Sequence, residues 1–278
     1  MRQFRAMKYR SGKPRIERAY PPREDAGERK ISTVAEVLHL DDSLIVVNKP
    51  PRVSLDIAWD DEPTVLDQLE SAGRITADES PVAAYMLEPL LSGLAILARS
   101  DVTLADLHRQ MAEGVLVLSC LAIVRGRAES SEGVIDQPVG AKNRTNTLLR
   151  VDPEAGRPAV TRWQVRDTYI GAALLDCTTQ PADPNQVRVH LQHFGLPLMV
   201  DAAYGGGSAL LLSSFKAGYR PSGRHPERPL IDRVSMHVQR VQLRHPATGA
   251  PLALEAGLHK DFRAALHQLD RFGRIAAL

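Results

Sequence analysis

The chain has 278 residues, of which 44% are apolar and 24% charged, with a net charge of +2. That length suffices for one large domain or two small ones around a sizeable core. No apolar run reaches the roughly 18 residues that a membrane helix needs, and the basic N-terminus MRQFRAMKYR lacks the apolar stretch of a secretory signal. The two cysteines, Cys120 and Cys177, sit in apolar runs and are expected as buried thiols, so the composition predicts a soluble, cytoplasmic protein.

The charge is unevenly spread. Residues 1–30 carry ten basic and four acidic side chains, a net +6, which leaves −4 for the rest. A basic arm on a slightly acidic body fits a contact with nucleic-acid phosphates, made by Arg2, Arg5, Lys8, Arg10, Lys13, Arg15 and Arg18. Residues 1–32, with Pro14, Pro21 and Pro22 and little apolar periodicity, read as a disordered arm, and residues 33–278 as the folded domain.

In chain order, VAEVLHLDDSLIVVNKPP predicts two strands joined at Asp41-Asp42-Ser43, the second ended by Pro50-Pro51. TVLDQLESAG predicts a helix opened by Thr64 and closed by Gly73. Ser92–Ser100 reads as a buried strand and Val102–Gly114 as an amphipathic helix. Strands follow in VLVLSCLAIVRGR, RPAVTRWQV and AALLDCTT, then a short helix in NQVRVHLQHFG, and a strand and turn in LPLMVDAAYGG. Residues 204–229 read as a long surface loop with a short helix, and Gly205-Gly206-Gly207 as a flexible stretch. MHVQRVQLRHP and PLALEAG form a hairpin, and KDFRAALHQLDRFG a final helix. Strands outnumber helices and most connections are short, which predicts an α+β fold with a mixed, largely antiparallel sheet. The pair His190 and His193 lacks an acid or cysteine to complete a metal site, so a hydrogen-bonded or half-exposed pair is expected.

Four blocks carry a family resemblance: LHLDDSLIVVNKPPRV, YMLEPLLSGLAILARS, NQVRVHLQHFGLPLMVDAAYGG and ERPLIDRVSMHVQRVQLRHPATGAPL. In this order and spacing the chain resembles the RluA-type pseudouridine synthases over roughly residues 35–270. The resemblance implies a central mixed sheet with flanking helices and an RNA cleft. It implies isomerisation of uridine in RNA without metal or organic cofactor; the chain is expected to be a monomer whose partner is rRNA or tRNA. Relatives often carry an S4-type domain ahead of the synthase domain; residues 1–32 are too few to hold one.

The family chemistry needs a carboxylate beside the ribose, an arginine to orient it, and an aromatic ring to stack on the flipped base. The catalytic block of the family reads His-Arg-Leu-Asp-x-x-Thr-Ser-Gly-Leu; here Glu88 stands at the aspartate and Tyr85 and Met86 at the histidine and arginine. The lysine and tyrosine of the next long strand become Leu118 and Cys120. The arginine survives as Arg188, but the stretch before it is Ala182-Asp183-Pro184-Asn185 instead of Gly-Arg-Thr-His. These exchanges predict an RNA-binding member whose catalysis is impaired or lost, a pseudoenzyme. The alternatives are an active synthase that uses Glu88, with Tyr85 standing in for the missing ring, and a protein-interaction scaffold.

Overall fold

The computed structural model describes residues 34–57, 62–142, 148–220 and 226–275. The basic arm lies outside this set. A single ten-stranded sheet organises the described residues, with the path β1 (Glu36–Leu40), β2 (Leu44–Lys49), β4 (Ser92–Ala98), β11 (Met236–Arg244), β5 (Val117–Arg125), β10 (Ala172–Gln180), β9 (Val160–Tyr169) and β6 (Glu132–Asp136). Two further strands join off this path, β3 (Val82–Ala83) on β4 and β12 (Pro251–Glu255) on β11. Only β4 and β11 run parallel among these pairs; the rest are antiparallel. A separate hairpin joins β7 (Val139–Ala141) to β8 (Leu149–Val151).

Strand β4 lies between β2 and β11, and all seven of its residues are buried. That explains its apolar run from Leu94 to Ala98, since neither face meets water. Strand β5 shows the two-residue period of a sheet covered on both sides. Leu118, Cys120, Ala122 and Val124 enter the larger core, while Leu121 and Ile123 pack in a second core with Phe262, Ala265 and Leu269 of α4 (Lys260–Phe272). The fully buried Arg233 pins the start of α4 through two bonds to Asp261, at 2.8 and 2.9 Å.

The helices begin and end where their caps dictate. Helix α1 (Val65–Ser71) starts with a capping box between Thr64 and Asp67, and Gly73 follows with φ 63°. Helix α2 (Asp101–Glu113) is capped by the Ser100 hydroxyl and closed by Gly114 in the left-handed conformation. In α3 (Pro184–His193), Asp183 accepts from the Asn185 amide and Pro184 occupies the first turn, a strong helix start. The exchange at Ala182–Asn185 therefore leaves the helix intact.

Three expectations need correction. The segment from Leu196 to Gly207 makes isolated bridges and a 3-10 turn at Ala202–Tyr204 rather than a strand. Gly206 is also held tightly instead of being flexible: a Cβ there would stand 2.4 Å from the Asp201 nitrogen, so the chain needs glycine for close approach. The stretch after Tyr204 is not purely surface, since Leu210 and Phe215 are buried against the α4 core.

Candidate functional site

The centre of the site is Arg188, carried on α3 and fully buried. Its Nη1 donates to Glu88 Oε2 at 2.7 Å and to Asn185 Oδ1 at 3.0 Å. Its Nε and Nη2 donate to the two oxygens of Asp201 at 2.7 and 3.0 Å. The guanidinium carbon also lies 4.7 Å from the centre of the Tyr204 ring. This is a desolvated cation held by two carboxylates, an amide oxygen and an aromatic ring, an arrangement that fixes its direction. Burial pushes the Tyr204 hydroxyl up to about 12, so it stays protonated, and it accepts from the Leu149 amide at 2.7 Å.

Glu88 stands on the turn between β3 and β4. Leu91 N bonds to the Glu88 carbonyl, and the ammonium of the fully buried Lys49 shares its protons among the carbonyls of Pro50, Val53, Pro89 and Leu91 at 2.7 to 3.2 Å. Burial, with the nearby Arg233 charge, holds Lys49 well below the usual lysine range. Lys49 thus ties the end of β2 to the Glu88 turn.

The exchanged pocket residues do not line an open slot. Leu118 is 0% and Cys120 1% exposed, both inside the larger core. Burial raises the Cys120 thiol far above its ordinary range, which leaves it an unreactive packing group. Tyr85 is also buried in this core, and its hydroxyl donates to the Leu94 carbonyl at 2.7 Å. Its ring therefore gives no exposed face, contrary to the reading in which it substitutes for a missing stacking residue. Met86 points outward, 50% exposed, and does not fill the pocket. Beside the site, a cavity of about 270 Å³ has Lys142, Arg150, His193, Val189 and Tyr204 in its wall.

Asp201 and Tyr204 belong to the site although sequence reasoning passed over them. The signal was available in LPLMVDAAYGG, where an acid and an aromatic stand three apart in a matched block. His190 is buried between Thr161 Oγ1 and the Gln137 carbonyl, at 2.8 and 2.9 Å, while His193 is exposed, so the pair is split. Among the described residues one group could hold a metal, His39, Asp41 and His245. Both histidine Nε2 atoms lie against Asp41 Oδ2, at 2.6 and 2.7 Å. The Ala247 and Thr248 amides point at His245 Nδ1, so that nitrogen accepts and Nε2 carries the proton given to Asp41. A metal on Nε2 would have to reverse this pattern.

Comparison with known proteins agrees with this architecture. No protein-family model matches the chain. Two solved human structures share the fold: RNA pseudouridylate synthase domain containing 1, with TM-score 0.59, 17% identity and coverage of 84% of this chain and 86% of that one, and domain containing 4, with TM-score 0.61, 20% identity and coverage of 87% and 95%. The protein thus has a pseudouridine synthase fold, with a mostly antiparallel mixed sheet. Among relatives by sequence, an uncharacterised RNA pseudouridine synthase of Chlorobaculum parvum is 29% identical over 244 residues, 84% of this chain and 73% of the relative. Ribosomal large subunit pseudouridine synthase C of Escherichia coli K12 is 26% identical over 250 residues, 87% of this chain and 72% of the relative. In sequence and in fold the chain is thus similar to RNA pseudouridine synthases of the RluA type. No helix among the described residues is long and apolar enough to cross a membrane.

Proposed function

We propose that this chain is an RNA-binding protein on the pseudouridine synthase scaffold, with uridine isomerisation lost or much reduced. The observation that carries this reading is the sealing of Leu118 and Cys120 into the core, at 0% and 1% exposure, where the family has its lysine and base-stacking tyrosine. A base stacked on an aromatic ring gains about 1–3 kcal/mol, and neither Cys120 nor the core-facing Tyr85 offers that surface. Glu88 carries its carboxylate one methylene further than aspartate, and a displacement near 1 Å costs ~100-fold in rate. The basic arm, outside the described residues, supplies phosphate contacts without sequence preference.

The test is to incubate purified protein with bound RNA at near-stoichiometric ratio and analyse the nucleosides. The expected result is salt-sensitive binding with no pseudouridine; efficient product formation defeats the proposal. A second reading, an active synthase using Glu88, is favoured by one observation, the 2.7 Å bond between Glu88 and Arg188, which keeps the carboxylate–arginine pair. Under that reading Glu88→Ala abolishes product and leaves RNA binding, and unchanged product after the substitution rules it out.

A further inference from the structure

The turn that carries Glu88 is flanked by Arg52, the one non-glycine residue with positive φ among the described residues, at 69°. Its amide donates to the Pro89 carbonyl at 2.5 Å, next to Glu88 in sequence. In this backbone region an L side chain is strained and glycine is not. The fold gains little from Arg52 in exchange. Its Nη2 reaches Asp232, at 2.9 Å from Oδ1 and 3.2 Å from the carbonyl, but both side chains are partly exposed, and such pairs contribute little to stability. Among the described residues its buried Nε has no acceptor, a further cost. Local strain, a weak ion pair and an unpaired donor together leave the arginine unexplained by stability, and strained positions of this kind collect at ligand sites.

We infer that Arg52 is a phosphate-binding residue, taking a phosphodiester of the RNA strand that passes the Glu88 turn. The inference rests on the RNA-binding reading above and adds a contact on the folded body to those of the arm. In the free protein Asp232 parks the guanidinium through Nη2. When the strand binds, the side chain leaves Asp232, and Nε and one Nη donate side by side to the two non-bridging phosphate oxygens. The buried Nε then gains the acceptor that it lacks, which gives the bound state an interaction absent from the free one. The planar fork suits this geometry, and a lysine ammonium does not reproduce it.

The test uses the full chain and a fluorescently labelled hairpin RNA with uridines in its loop, titrated from low to physiological salt, with thermal melts alongside. Arg52→Gly is expected to melt at or above the parent temperature, because glycine relieves the strain. It should bind the RNA about tenfold more weakly at low salt and reduce the slope of log affinity against log salt by about one. Arg52→Lys should keep the slope and lose part of the affinity, and Asp232→Asn should bind more tightly than the parent. If Arg52→Gly melts lower or fails to fold, or if it binds with parental affinity and slope, Arg52 is a structural clasp and the inference is overturned. Weaker binding by Asp232→Asn overturns it as well. A parent protein without salt-sensitive RNA binding removes both this inference and the function proposed above, whereas a binding parent with an unaffected Arg52→Gly removes this inference alone.

Discussion

Asp201 grips Arg188 with both carboxylate oxygens, at 2.7 and 3.0 Å, and Glu88 Oε2 accepts from the same guanidinium at 2.7 Å. Asp201 is the more deeply buried of the two acids. Asp201→Ala leaves a fully buried guanidinium short of its main counter-charge and should cost about 3–5 kcal/mol, the range seen when one partner of a buried pair is removed. Glu88→Ala leaves the Asp201 fork in place and should cost about 1–3 kcal/mol. Urea unfolding of both variants and of the double variant gives the comparison; equal losses would show that the two acids share Arg188 evenly.

Gly93 explains in physical terms why a glycine stands in the Ser92-Gly93-Leu94 block. Its φ is 110°, and a Cβ there would lie 2.1 Å from the Val238 carbonyl oxygen, across the parallel pairing of β4 and β11. Backbone cannot yield as a flexible side chain does, so Gly93→Ala should cost about 4 kcal/mol or more and sharply reduce soluble yield. Gly73→Ala is the control: its Cβ meets nothing within 4 Å, and only the left-handed backbone is penalised, by about 1–2 kcal/mol. Thermal melts of the two variants should differ accordingly.

Cys120→Tyr restores the residue type that the family carries, but into a position that is 1% exposed and faces Cys177 across the sheet. The added ring should overpack the core and destabilise the protein by about 1–3 kcal/mol or more. A variant with the parental melting temperature would mean that the core has room for a ring, and would remove the main support for lost catalysis.

His237 sets an expected pH dependence. Its Nδ1 lies 2.9 Å from Ser92 Oγ and its Nε2 3.4 Å from the Ala256 carbonyl, which can only accept, so Nε2 bears the proton of a neutral ring. Burial, followed by the nearby Arg233 charge, lowers its pKa from 6.5 to about 4. The unfolded chain thus takes up a proton near 6.5 that the folded protein refuses until about 4. Stability is complete above that window and falls as pH drops through it, by about 1.4 kcal/mol per pH unit for one group. Denaturant melts between pH 7 and 5 should show this loss, and His237→Gln should flatten it; an equal slope in the variant assigns the dependence to other groups.

Deleting residues 1–30 removes ten basic side chains from the chain. The truncated protein should bind RNA more weakly and with a flatter salt dependence, because fewer counterions are released. Fluorescence anisotropy at several salt concentrations measures both; parental values for both would exclude the arm from the interface.

Local signals were legible in the sequence because each acts within a few residues. Thr64, Gly73 and Gly114 mark helix ends by capping, and these positions hold in the structure. The apolar run of β4 and the hairpin of β11 and β12 follow from burial and turn chemistry in the same way. The four family blocks, read together, also pointed to the fold, and the Glu88–Arg188 pair followed from the resemblance. Tertiary structure alone decided the rest. Glu88 and Arg188 meet across 100 positions, and Asp41 and His245 across 204. That Tyr85 faces the core, that Cys120 is sealed and that Asp201 holds Arg188 from a second side depend on which strands and turns pack together. A sequence records residue types and their spacing along the chain, whereas these contacts arise only when distant segments are desolvated against one another.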